Sequence, residues 1–249
     1  MIKLFSTAAV AVVFAGASTA MAVGVSVGDY IRFSDGPGTT TTERPGGEFV
    51  VNVLQSGDSF RTFCLERTEN LFFGNGSFSG SGGDPTFTHP FEVTGISERA
   101  MSGGPDFDEP DVAGDPISSR TAFLYQNFAL GTLDGYVYGA DNDPARIRSA
   151  DALQNAIWFL EDEIDDPFFG ITDLDTQALI THFLTLDMGD FEGTGLVRVL
   201  NLVYRWDGPG GTQGGHAQDV LVLIPLPHAA GLGLVGLLGV AGVTSRRRR

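Results

Sequence analysis

Two apolar runs, one at each end of the chain, limit how much of the 249-residue sequence can form a folded body. At the start, Lys3 precedes an apolar stretch over residues 4–16, and small residues then lead to an Ala-Met-Ala site that ends at Ala22. This arrangement is typical of a secretory signal peptide cleaved after Ala22, the alternative being an N-terminal membrane helix or a buried strand. The folded body should therefore span residues 23–224, the size of one domain.

The C-terminal run follows Pro225 and Pro227, covers residues 229–243 and ends in four arginines that begin at Arg246. As a helix its 15 residues would be about 22 Å long, which is shorter than the roughly 30 Å core of a bilayer. The basic end would stay on the cytoplasmic side. A proline-rich motif, a short membrane segment and a basic cluster together resemble the PEP-CTERM sorting signal, with Leu226 in place of the usual glutamate.

The N-terminal signal implies a signal peptidase as one processing partner, and the resemblance of the tail implies an exosortase-like membrane enzyme as another. That resemblance also implies delivery to the cell envelope, the cell surface or the surrounding polysaccharide matrix, with the C-terminal helix in the membrane at least transiently. The alternative for the tail is a plain membrane anchor.

The charge of the body excludes several classes of partner. Between residues 4 and 245 lie 10 arginines, no lysine and 31 acidic residues, a balance of −21. Such a surface repels nucleic acid phosphates and anionic lipids. With Cys64 as the only cysteine there is no internal disulfide. The cysteine and the histidines lack zinc-ligand spacing, and the acidic loop at 102–116 lacks that of a calcium loop, so no metal or other cofactor is predicted.

Hydrophobic periodicity predicts strands, then helices, then strands again. The fold class predicted from this order is α+β, mainly β: a β-sandwich or barrel with an inserted helical lobe at about 117–188. The predicted strands cover residues 23–33, 48–55, 60–65, 86–93, 196–204 and 219–224, and the predicted helices cover 118–130, 145–164 and 175–186. Pro167 is expected to stop the second helix.

Two short motifs carry a candidate chemistry. Phe63-Cys64-Leu65 lies on a predicted strand, and Leu153-Gln154-x-x-Ile157-Trp158 lies on the longest predicted helix. Together, in this order, they resemble the thioester domains of bacterial surface adhesins. The resemblance implies that Cys64 bonds to the side chain of Gln154 and that the bond later captures a target amine or hydroxyl.

Other residues could support that bond. On the helix, Trp158 and Glu161 share a face with Gln154, so Trp158 would shield the bond from water. Glu66 and Glu161 are candidate proton acceptors, and Thr62 is a candidate hydrogen-bond donor. Because the implied thioester would react only once, the protein would be a reactive binder and not an enzyme.

Two other interpretations stay open. Cys64 is equally consistent with a small apolar core residue, which would leave a passive structural protein of the extracellular matrix. The second interpretation is a carbohydrate-binding module that displays Tyr136 and Tyr138. Cysteine-hydrolase chemistry is not favoured because no histidine has a recognisable catalytic context, and there is no nucleophile elbow, phosphate loop or dinucleotide fingerprint.

Overall fold

A computed structural model describes residues 23–37, 47–67, 90–101, 114–208 and 211–224. The predicted signal peptide, with Ala22, and the predicted sorting tail, with Pro225, Pro227 and Arg246, lie outside these residues. Within the described ranges, no helix is both long and apolar enough to cross a membrane.

The strands in the described residues are β1 Tyr30–Asp35, β2 Phe49–Val53, β3 Ser59–Thr62, β4 Phe91–Ser97, β5 Arg99–Ala100, β6 Asp115–Pro116, β7 Val197–Gly208 and β8 Gly211–Leu223. Six of them form one antiparallel sheet in the order β3-β2-β1-β4-β7-β8, and the short strands β5 and β6 pair separately. The predicted hairpin of β2 and β3 is confirmed, with Phe49 opposite Thr62. Gly57, with φ 75°, lies in its turn, where a left-handed backbone favours glycine.

Three helices follow β6, namely α1 Ser119–Ala129, α2 Pro144–Leu160 and α3 Leu174–Thr185. Each begins at a polar cap whose side chain accepts a backbone N–H of the first turn. The caps are Ser118, Asp143 and Asp173. All three helices therefore start within a residue or so of their predicted positions.

The end of α2 differs from the prediction. The helix stops at Leu160 and not at Pro167, because Asp162 adopts a left-handed backbone with φ 59°. Glu163 N donates to Trp158 O at 2.8 Å and Asp162 N donates to Phe159 O at 3.4 Å. These two bonds make a Schellman motif, which ends a helix without any proline.

The sheet separates two apolar cores. One core fills the inner face of the sheet and includes Ile31, Phe33, Val51 and Val220. The other lies between the helices and the opposite face of β7 and β8, and it includes Leu124, Leu153, Ile180 and Leu221. The alternation of Val220 and Leu221 between the two cores is the period-two signature of a strand buried on both faces.

The two edge strands of the sheet meet but do not pair along their length. Thr62 Oγ1 donates to Leu221 O at 2.6 Å, Cys64 forms an isolated bridge with Val220, and Leu65 N donates to Asp219 O at 3.3 Å. The fold is therefore α+β and mainly β, as predicted. A closed barrel is not formed among the described strands, because β3 has only four residues and stops where the seam begins.

Candidate functional site

The side chain of Gln154 binds the backbone of Cys64. Cys64 N donates to Gln154 Oε1 at 3.1 Å, and Gln154 Nε2 donates to Cys64 O at 2.8 Å. The two residues are 90 apart in sequence and both are buried. The structure therefore brings together the cysteine and the glutamine that the sequence motifs single out.

Strand geometry explains why Cys64 offers both backbone groups to α2. In a strand, neighbouring residues direct their N–H and C=O groups to opposite sides. Leu65 N is bonded to Asp219 O on β8, so the N–H and C=O of Cys64 face away from β8. On the other side of the chain, the pairing of β2 with β3 ends at Thr62, which lies opposite Phe49. Beyond that point the carboxamide of Gln154 bonds to Cys64 in the place that a neighbouring strand would occupy.

Side chains around the pair alternate between the two cores. Phe63 and Leu65 pack with the helices, whereas Cys64 belongs to the core inside the sheet. On α2, Leu153 belongs to the helical core and Trp158 belongs to the same core as Cys64. The helix thus lies along the seam, with one face toward each core.

Trp158 has the burial expected of a shielding residue. Its side chain is one turn beyond Gln154 and only 7% exposed. Its indole Nε1 is buried and has no hydrogen-bond partner among the described residues. The ring therefore contributes apolar cover to the Cys64 core and not a polar contact.

The thiol of Cys64 is held in its protonated form. Burial raises its pKa well above the ordinary value, and the negative charge of Glu66 raises that pKa further. A buried, protonated thiol reacts slowly with solutes. Any reaction at Cys64 must therefore involve a partner inside the protein that accepts its proton.

Glu66 and Thr62 hold the seam beside Cys64. Glu66 is 1% exposed and its Oε2 accepts the N–H of Asp219 at 3.3 Å, while Gln218 Nε2 donates to Glu66 O. The Thr62 hydroxyl donates to Leu221 O and not to the Cys64–Gln154 pair. Of the two, Glu66 is the one whose charge acts on the thiol.

Glu161 lies at a different place from the pair. Its Oε1 accepts the N–H of Ser118, the cap of α1, at 3.2 Å. Burial raises the pKa of Glu161, and hydrogen bonds from Thr121 and Ser118 offset part of that rise. Both of these hydrogen-bond partners are at the start of α1, so Glu161 joins the end of α2 to α1.

The aromatic residues considered for saccharide binding are not both on the surface. Tyr136 is 6% exposed and its hydroxyl donates to Glu48 Oε2 at 2.5 Å, whereas Tyr138 is 41% exposed. Their rings lie 4.9 Å apart. Tyr136 therefore belongs to the core, and the expectation that it is displayed is wrong.

Glu48 is the centre of a buried ion-pair network that the sequence patterns do not reveal. Its Oε1 is 2.7 Å from Arg146 Nη2 and 2.5 Å from Arg61 Nη1. Glu48 is fully buried and Arg146 nearly so. The network ties the strands β2 and β3 to the start of α2, and so fixes the helix that carries Gln154.

Comparison with protein-family models, with curated proteins and with solved structures found no match to this chain. Among the described residues, no group of three or more histidine, cysteine, aspartate or glutamate side chains is placed to hold a metal ion.

Proposed function

We propose that this chain is an exported cell-surface protein in which Cys64 and Gln154 form an internal thioester for single-use attachment to a target amine or hydroxyl. The observation that carries this proposal is the pair of hydrogen bonds between the Gln154 carboxamide and the Cys64 backbone.

The two hydrogen bonds support the proposed attack of sulfur because they bring the Gln154 amide to the backbone of the residue that carries the sulfur. Because the Gln154 amide bonds to both the N–H and the C=O of Cys64, its carbon lies opposite the Cα of Cys64. The Sγ atom of Cys64 is two bonds from this Cα. The N–H of Cys64 already bonds to Gln154 Oε1. A backbone N–H in this position stabilises the negative charge that develops on the oxygen during attack.

The forming step balances without a cofactor. Cys64 Sγ bonds to the Gln154 side-chain carbon, the carbon–nitrogen bond breaks, and ammonia leaves with the proton of the thiol. Glu66 is the proposed proton carrier between sulfur and nitrogen, since its charge reaches the thiol. Trp158 covers the same core and would keep water from the product.

Capture is the second step. A target amine attacks the thioester carbonyl, the carbon–sulfur bond breaks, and Cys64 regains its thiol while the target stays joined to Gln154 through an amide. The body of the chain contains no lysine, so no lysine of this chain competes with the target amine. The protein is consumed in the process, which is binding and not turnover.

The proposed context is the cell envelope. The signal peptide, the PEP-CTERM-like tail and an exosortase-like processing enzyme would place the body outside the membrane, as an adhesin or matrix protein. In this proposal residues 117–188 are a helical insertion in a sandwich-like body.

The alternative function is a passive structural or carbohydrate-binding protein of the polysaccharide matrix. In that case Cys64 stays a thiol in the core, and the Gln154 amide only satisfies two buried backbone groups. Its burial and protonated state are compatible with that role.

Intact mass separates these two functions. The natural chain should lack the mass of one ammonia, and methylamine should then add to Gln154 and release a thiol that reacts with maleimide once the protein is unfolded in denaturant. Cys64→Ala and Gln154→Glu are the matched variants: neither should show the loss of ammonia, and neither should take up methylamine. Full unmodified mass in the natural chain, together with no methylamine uptake, would refute the thioester and leave the structural role.

A further inference from the structure

A second site lies away from Cys64, at a pocket of about 370 Å³ beside β4, β7 and β8. Its lining includes Thr94, Ser97, Asn201, His216 and Asp219. Two irregularities of the sheet form it, because the register shifts between Val93 and Gly95 on β4 and between Leu200 and Leu202 on β7. Bulges of this kind are common next to functional sites, where they redirect side chains.

Gly95 permits the close approach of these two strands. A β-carbon at this position would lie 2.7 Å from Asn201 Oδ1, closer than such a contact allows. The glycine therefore lets the Asn201 side chain lie across β4 at the base of the pocket.

Asp219 is a buried carboxylate in the lining of this pocket. Asp219 Oδ1 accepts the N–H of Leu202 at 2.9 Å, and Oδ2 accepts from Met101 N at 2.7 Å and from Asn201 Nδ2 at 2.9 Å. None of the ion pairs found among the described residues involves Asp219. Neutral N–H groups bond to its carboxylate, and the positive group that acts on it is His216 and not a guanidinium group.

The N–H donors around the pocket already bond to acceptors within the protein, so its remaining polar groups mostly accept hydrogen bonds. Asn201 Nδ2 uses its two hydrogens on Arg99 O and Asp219 Oδ2, and the N–H groups of Met101 and Leu202 are also taken. The lining contains no lysine or arginine, and His216 is its one basic residue. A ligand with hydrogen-bond donors and positive charge is therefore the best complement to this lining.

We propose that this pocket binds a small organic cation of the alkylammonium class, with Asp219 as its counter-ion. An ammonium group has three donors and no acceptor, which complements a carboxylate whose neighbours are already hydrogen-bonded. The alkyl part would lie against Ile96, Met101 and Leu202, the large apolar side chains of the lining. This site does not depend on the thioester.

Titration calorimetry at about 0.15 M salt, where long-range surface attraction is largely screened, tests the proposal with n-butylamine as the probe. 1-Butanol is the neutral probe of similar shape, butyrate is the anion, and methyl glucoside represents a saccharide. The measurement is made on the natural chain and on Cys64→Ala, so that covalent capture is not mistaken for reversible binding. We expect saturable binding of n-butylamine alone, in both chains.

Thr94 offers a matched pair of variants at an exposed position. Thr94→Arg places a cation at the pocket and should weaken n-butylamine binding by about tenfold or more, because like charges repel at close range. Thr94→Gln adds similar bulk without charge and should bind nearly as the natural chain does. Asp219→Asn should abolish binding.

Three results would overturn this assignment. Equal binding of 1-butanol and n-butylamine would show an apolar cavity only. Binding of methyl glucoside without n-butylamine would show a saccharide site. Unchanged n-butylamine binding in Thr94→Arg would show that the cation binds elsewhere on the acidic surface.

Discussion

Gln154, on a helix, and Cys64, just past the end of a strand, share two hydrogen bonds of 3.1 and 2.8 Å, so that one side-chain amide satisfies both backbone polar groups of one buried residue. This relationship makes Gln154 important for stability whether or not a covalent bond forms.

Replacement of Gln154 by alanine should cost about 2–6 kcal/mol, because each of the two buried backbone groups left without a partner costs about 1–3 kcal/mol. Gln154→Met is the matched control for volume, and it should show most of the same loss. Urea unfolding in a Cys64→Ala background measures the difference without any cross-link, because that variant keeps the backbone groups to which Gln154 bonds. A Met variant as stable as the natural chain would mean that the two bonds contribute nothing.

The Glu48 network should be sensitive to loss of its central charge. Glu48→Gln leaves Arg146 buried without a full counter-charge, and we expect a loss of about 3–5 kcal/mol. Asp141 also pairs with Arg61, at 2.9 Å, but its side chain is half exposed. Asp141→Asn should therefore cost at most about 1 kcal/mol. Similar losses in the two variants, measured by thermal or urea unfolding, would contradict this difference.

Asp219 should make the protein less stable as the pH rises from about 4 to 6. Burial raises its pKa from 3.8 to about 6, although the bonds from Asn201, Met101 and Leu202 and the charge of His216 oppose that rise. Between these two pH values the folded state keeps a proton on Asp219 that the unfolded state has lost. The free energy of unfolding is therefore highest below the pKa of the unfolded state, and it falls as the pH rises through the pKa of the folded state. The expected change is roughly 3 kcal/mol.

The control for this pH dependence is Asp219→Asn, whose urea-unfolding profile should be flatter over the same interval. Glu161, with its raised pKa, gives a slope of the same sign in both chains. An unchanged profile in the variant would show that Asp219 titrates normally.

The end of α2 offers a stabilising substitution. Asp162→Gly should raise the free energy of unfolding by up to about 1 kcal/mol, because glycine adopts the left-handed backbone of this position at little cost. Asp162→Ala should lower it, since alanine lacks the tolerance of aspartate for that conformation. Chemical denaturation of the three proteins checks the order.

The elements with strong local signals were predictable from sequence. Strand β2 alternates buried and half-buried residues, and each helix has a capping residue. The end of α2 was missed because Asp162 gives a weaker stop signal than glycine would. Strand β8 was predicted too short, since its glycine-rich first half lacks alternating apolar residues.

The candidate site was predictable in part. The motifs singled out Cys64 and Gln154, and the structure brings them together. The roles of Glu48 and Asp219 were not predictable, because buried polar residues obtain their partners from distant segments that no local pattern specifies. Glu161 was assigned to the Gln154 face from helical spacing, but its hydrogen bonds with Ser118 and Thr121 at the start of α1 depend on tertiary packing.

The seam between Thr62–Leu65 and Asp219–Leu221 has a consequence for association between molecules. Exposed edge strands act as templates for the strands of other chains, which is a common route to aggregation. Here the two outermost strands satisfy part of each other's hydrogen-bonding capacity, and α2 covers Cys64 on its remaining side. We therefore expect the folded body to resist sheet-to-sheet polymerisation at this seam, even where it is displayed at high density.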